Sequence, residues 1–174
     1  RRIAFVDWSQ PSPGAHLGPI EATRPAYRAY SSALRTAGVT EEYVIGVPDA
    51  PGDPDYVERH YQAVLEALDA FPARPTAVFC AADFRAGPVV RALRQRGLRV
   101  PEDCSVVGIG NTPWVVWLDP PLTSVDLGLA QMARLALPLL DEPAPPTPQL
   151  LHVVPQLIER HSTGPVPASA SSQP

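Results

Sequence analysis

Two short stretches bring together residue types that could do chemistry. Gly108-Ile109-Gly110 closes a β-branched run, and two glycines one residue apart at a strand's end can cradle a phosphate on backbone amides. Cys80-Ala81-Ala82-Asp83-Phe84 ends a second apolar run on a carboxylate. Such a group can accept hydrogen bonds from ligand hydroxyls, or it can cap a following helix. The glycine pair fails as a dinucleotide fingerprint. The third glycine of G-x-G-x-x-G would fall at Pro113, and no acidic ribose partner follows a second strand at the usual offset. What remains is a loop at a strand's end, reaching Asn111.

Aromatic faces pack on sugars and on bases, and Trp8, Trp114 and Trp117 all fall near expected strand ends. For Trp8 and Trp114 a ligand face and core or interface packing are both open, and such packing suits Trp117 better. Other chemistries are excluded by what the chain lacks. All 14 basic residues are Arg, which removes a P-loop lysine, Schiff-base chemistry and a lysine general base. His16, His60, His152 and His161 have no metal-ligand spacing, and no nucleophile elbow or H-E-x-x-H occurs, so neither enzyme activity, metal nor cofactor is expected. Cys80 and Cys104 form no C-x-x-C pair and are expected to be buried and inert.

The elements that position these residues follow from the pattern. Arg1 to Trp8, Tyr43 to Val47, Thr76 to Cys80 and Ser105 to Ile109 are short apolar runs that predict strands. Between them Tyr27, Tyr30, Leu34 and Ala37 outline a helix from Pro25 closed by Gly38. Val57, Tyr61, Val64, Leu65 and Leu68 outline another, with Asp53 as its cap and Pro54 first. Val89, Val90, Leu93 and Gly97 outline a third. Its start is open between Phe84 and a later one with Gly87 as cap and Pro88 first, which would leave Asp83 in a loop.

Strands alternating with helices predict an α/β fold with a doubly wound parallel sheet, whose ligands bind at the carboxyl ends of the strands. The loops after Trp8, Val47, Cys80 and Ile109 share that edge. Beyond Asn111 the rhythm changes to a short turn and a brief strand. A helix through Leu129, Met132, Ala136 and Leu139 follows, disturbed near its end by Pro138. Asp141 to Pro148 is a linker, Leu150 to Thr163 is one or two extended segments, and residues 164–174 form a low-complexity tail expected to be disordered.

With 174 residues, 45% of them hydrophobic, the chain can build one substantial core or one domain and part of a second. Its net charge of -4 argues against general attraction to nucleic acid, and Arg91, Arg94, Arg96 and Arg99 are expected to be a solvated helix face. No apolar run approaches the roughly 20 residues of a membrane span, and no charged-then-apolar leader precedes the first strand. A cytoplasmic location, without membrane contact, is therefore expected.

The stretch from Arg74 to Val125, "RPTAVFCAADFRAGPVVRALRQRGLRVPEDCSVVGIGNTPWVVWLDPPLTSV", resembles the effector-binding core of the lactose-repressor/galactose-repressor (LacI/GalR) family of bacterial transcription regulators. "RRIAFV" and "LIERHSTGP" extend the resemblance over most of the chain. It implies a periplasmic-binding-protein-like core of two α/β subdomains with a small-molecule effector, such as a sugar, clamped between them. Residues 1–117 would be the C-terminal effector-binding subdomain, 118–140 a segment crossing to the N-terminal subdomain, and 141–163 the linker and return. DNA would be met only through a separate helix-turn-helix headpiece, whose pattern does not occur here, and the core would form a homodimer. The resemblance places Asp83, Trp8, Trp114 and Asn111 at the effector, with Asp83 accepting hydrogen bonds from its hydroxyls. It also shows departures: Ala82 stands where an asparagine is common, Gly110 where an aspartate is, and Ala26 where an arginine often is. Arg24 and Arg28, which flank that place, suit a solvated helix surface. An exported sugar-binding protein of similar fold is the alternative reading.

Overall fold

Each predicted run forms its strand. The computed structural model describes residues 2–8, 25–39, 41–47, 54–141, 147 and 150–167. Five parallel strands, β1 (Ile3–Trp8), β2 (Glu42–Val47), β3 (Ala77–Cys80), β4 (Ser105–Ile109) and β5 (Thr123–Asp126), lie in the order β2-β1-β3-β4-β5. A sixth, β6 (Gln156–Ile158), joins the edge antiparallel to β5, with Ser124 opposite Ile158. The extended return segment thus ends the sheet against its grain.

The continuous apolar runs follow from burial on both faces. On one face Phe5 packs against Tyr30 and Leu34 of α1 (Pro25–Thr36), its ring stacked on Tyr30 at 5.0 Å between centroids. On the other, Ala4, Val6, Val78 and Val106 meet α2 (Tyr56–Ala70) and α3 (Ala86–Gln95) through Val64, Leu65, Val89 and Leu93. The chain leaves β1 toward β2 on one side and returns to β3 on the other, so the carboxyl ends of β1 and β3 form the topological switch point where such sheets bind ligands.

Two helix starts differ from expectation. α2 begins at Tyr56, after a turn at Pro54-Asp55; Asp55 occupies the cap without a side-chain cap bond, and Asp53 lies outside the described residues. A Pro-Asp pair fits a turn as readily as a helix start. α3 begins at Ala86 and is preceded by a 3₁₀ turn, Asp83–Arg85, so neither Gly87 nor Pro88 opens it. Pro88 is the third residue of α3, where its missing N–H leaves no intrahelical bond unmade.

The four arginines of the basic cluster form ion pairs at the surface: Arg91 with Glu58, Arg94 with Asp119, Arg96 with Asp69 and Arg99 with Asp103. α4 (Leu129–Ala136) stands apart. It buries none of its residues, and Leu129, Met132 and Leu135 are exposed. A 3₁₀ turn over Leu137–Leu140, which contains Pro138, follows its end at Ala136. The tail from 168 onward and most of the linker lie outside the described residues.

Candidate functional site

Asp83 follows β3 at the carboxyl edge of the sheet and lies beneath the surface of that edge. Its side chain is 1% exposed. Oδ2 accepts bonds from the Thr112 backbone N–H at 2.8 Å and the Thr112 hydroxyl at 2.9 Å, while Oδ1 accepts from the Ser124 hydroxyl at 2.6 Å. The carboxylate therefore ties the turn after β3 to the loop after β4 and to β5. Its side-chain bonds thus run to Thr112 and Ser124 rather than to the helix after it.

Gly108 and Gly110 make room for this group. A Cβ on Gly108 would overlap Asp83 Oδ1 and stand 2.9 Å from Leu122 Cδ2. Gly110 has φ +128°, a backbone that side chains other than hydrogen rarely allow, and its Cβ would come 3.2 Å from Asp83 Oδ2. The Gly-Ile-Gly motif thus cradles a carboxylate of its own chain.

Above this support the loop turns outward. Asn111 has φ +48°, a left-handed conformation that Asn tolerates better than most residues. Its backbone N–H donates to Ser124 Oγ at 3.0 Å, Nδ2 donates to Asp126 Oδ2 at 3.0 Å, and Oδ1 accepts from Arg160 at 2.7 Å. A 3₁₀ turn over Pro113–Trp117 follows, in which Val115 is buried, Trp114 is 37% exposed and Trp117 is 85% exposed. Trp117 is not a core residue.

At the switch point itself stand residues that carried no sequence signal. Asp7, near the end of β1, lies 3.8 Å from the guanidinium of Arg85, which is buried. Arg85 also stands over the ring of Phe84 at 5.0 Å, and Phe84 neighbours the Tyr56 and His60 rings at the start of α2. His60 is buried against Tyr56, 4.0 Å between ring centroids. The edge therefore presents half-exposed aromatic surface over buried charge. A charged residue closing an apolar strand, as in Phe5-Val6-Asp7, is the one cue that could have found the pair.

Among the described residues no group of three or more His, Cys, Asp or Glu could hold a metal ion. Cys80 and Cys104 are both free and buried, and burial raises both thiols, that of Cys104 to about 12. Neither is a nucleophile at neutral pH.

The periplasmic binding protein-like domain family matches residues 1–163. The transcriptional repressor CytR of Escherichia coli K12 is 36% identical over 131 residues, 73% of this chain and 36% of that protein. The chain belongs to the LacI-type branch of the periplasmic-binding-protein-like family. A transcriptional regulator of LacI family from Sanguibacter keddieii superposes with a TM-score of 0.73 at 27% identity, over 95% of this chain and 59% of that one. A LacI family regulator from Enterococcus faecium, solved with bound ribose, gives 0.71 at 22% identity, over 94% and 57%, and supports the fold alone. This LacI-type chain thus spans little more than a third of its curated relative's length. Its curated relatives are transcription regulators, not enzymes.

Of the residues expected at the effector, Asn111 and Trp114 lie on the loop after β4, and Trp8 ends β1 at the switch point, though its side chain lies outside the described part. Asp83 lies in the turn after β3, 1% exposed. The described chain has no helix long and apolar enough to cross a membrane.

Proposed function

We propose that this chain is the effector-sensing half of a LacI-type regulator, with the loop Asn111–Trp117 and the ends of β1 and β3 forming one wall of an effector cleft. The observation that carries this reading is the pairing of a half-buried amide, Asn111, with an exposed ring, Trp114, at the carboxyl edge of a parallel sheet. An amide supplies both donor and acceptor, and an indole supplies a face for a sugar or base. Asp83 acts from below, by holding Thr112 and so the loop.

The second wall belongs to the rest of the protein. α4 with its three exposed apolar residues, followed by Leu137, Leu139 and Leu140, is a helix whose apolar face has no cover among the described residues. We assign 1–117 to the C-terminal subdomain, 118–140 to the passage into the N-terminal one, and 141–163 to the linker and return. Effector binding changes the closure of the two subdomains, and so the spacing of paired DNA-binding heads on a cytoplasmic homodimer. Exposed Trp117 and Val116 fit the protomer contact.

The test is a thermal-shift panel of sugars and nucleosides, D-ribose and lactose included, on protein carrying both subdomains. A ligand at a hundred times its dissociation constant adds about 2.7 kcal/mol when only the folded state binds it. Stabilisation that disappears in Asn111→Ala supports the site. A stabilising ligand that survives both Asn111→Ala and Trp114→Ala places the effector elsewhere.

A further inference from the structure

Asn111 stands where three passages of the chain meet. Through Nδ2 it holds Asp126, the last residue of β5, whose other oxygen accepts the Gly128 backbone N–H at 2.7 Å and so sets the turn into α4. Through Oδ1 it holds Arg160, just past β6. Arg160 in turn donates to the Leu122 carbonyl at 2.7 Å, and its backbone N–H donates to Thr123 Oγ1 at 2.9 Å. The ligand loop, the way out of β5 and the way back through β6 thus share one amide.

We propose that Asp126 and Arg160 are positioning residues which, with Asn111, form a polar clasp coupling the loop after β4 to the outgoing and returning passages of the chain. The inference rests on the effector-sensing role proposed above, and it specifies which contact the effector makes. Among the described residues the Asn111 amide uses one of its two N–H donors and one of its two lone pairs. The remaining pair suits a ligand with a donor and an acceptor side by side, such as vicinal hydroxyls on a sugar ring. A ligand drawing on them shifts the amide, and the shift reaches Gly128 through Asp126 and Leu122 through Arg160. The guanidinium is a planar, permanently charged fork, so it follows its acceptors rather than rotating freely among new ones.

Hydrogen exchange without ligand, on the full chain, tests the clasp. Arg160→Gln should speed exchange of the Gly128 amide about tenfold, although no bond joins the two residues, and Asp126→Asn should do the same to the Arg160 amide. Asn111→Gly suits the left-handed backbone and keeps the fold, so it should loosen both amides while β1 and β3 stay protected. Loss of protection in β1 and β3 marks a variant that has unfolded, and Asn111→Gly then decides. If each substitution changes only the amides beside its own lost bonds, the clasp is refuted. Adding D-ribose or lactose to the wild-type protein is a separate arm: a wild type indifferent to both counts against the sensing role, while the ligand-free pattern judges the clasp alone.

Discussion

Replacing Asp83 by Asn separates a ligand anchor from an internal support. The carboxylate accepts from three donors, two on Thr112 and one on Ser124, at 2.6 to 2.9 Å in a site that is 1% exposed. A carboxamide has a single acceptor atom. Whichever way it is turned, its NH2 faces either the paired donors of Thr112 or the hydroxyl of Ser124. With the oxygen turned to Thr112, the NH2 can donate to the second lone pair of Ser124 Oγ beside the Asn111 N–H, but the Ser124 proton then loses its acceptor. The loss is the charge on the acceptor of all these bonds and the partner of one hydroxyl proton, which amounts to about 2–3 kcal/mol. For a domain of this size that lowers Tm by roughly 4–12 °C. Asp83→Ala, which strands all three donors, should cost about 3–5 kcal/mol.

Denaturant melts of both variants give the stability change, and titration of whatever ligand the panel finds gives the affinity change. Support from below predicts early melting, with affinity lost only as far as Thr112 and the loop shift. An Asp83→Asn protein that melts within about 1 °C of wild type while binding at least tenfold more weakly would refute the reasoning and return Asp83 to direct contact with the effector.

Gly108→Ala should be destabilising by about 1–3 kcal/mol or more, because its Cβ meets both Asp83 and Leu122, and a chemical melt measures it. Trp117→Ser should leave that melt within about 0.5 kcal/mol, since the ring is 85% exposed, but should weaken self-association in sedimentation if the ring lies at the protomer contact. The bonds from Gly128 and Asn111 hold the Asp126 carboxyl below its ordinary value, so its stabilising effect is complete above about pH 4 and fades as pH falls through the lower folded value. The Gly128 amide resonance should therefore move on acidification below about pH 4, and one that stays fixed while the sheet remains folded would show that the carboxylate does not hold it.

The strands were legible because burial on both faces leaves a mark in one dimension: an uninterrupted apolar run, as in Ala77-Val78-Phe79-Cys80. The carboxyl edge of the sheet followed from the alternation of strands and helices, whereas Asn111 and Trp114 were assigned to an effector only through the family resemblance. The role of Asp83 was not legible. Its partners Thr112 and Ser124 lie 29 and 41 positions away, and no local pattern ties a carboxylate to hydroxyls at that distance. Arg85 was hidden for the same reason, as one charge among apolar neighbours whose partner Asp7 sits on another strand. β6 was illegible in a different way: at three residues it is too short to show an alternation that could reveal its direction.

The position of Gly110 recasts what seemed a missing contact. Where the resembling family often has an aspartate, this chain has a glycine whose φ of +128° strains any side chain and whose Cβ position lies a crowded 3.2 Å from Asp83 Oδ2. A carboxylate there would have to strain the backbone and stand beside a second buried negative charge, which is unfavourable on both counts. The absence at 110 and the inward-turned carboxylate at 83 are therefore one arrangement: the loop is pulled down onto Asp83, and that closeness requires glycine. A loop held this way cannot offer a carboxylate from position 110 to a ligand. Recognition must pass to the next residue outward, where the chain carries an amide that both donates and accepts, followed by an exposed indole. It follows that substituting Gly110 by Asp in this chain should not restore an effector contact but should dislodge Thr112 from Asp83, and that effector selectivity should respond to Asn111 and Trp114 instead.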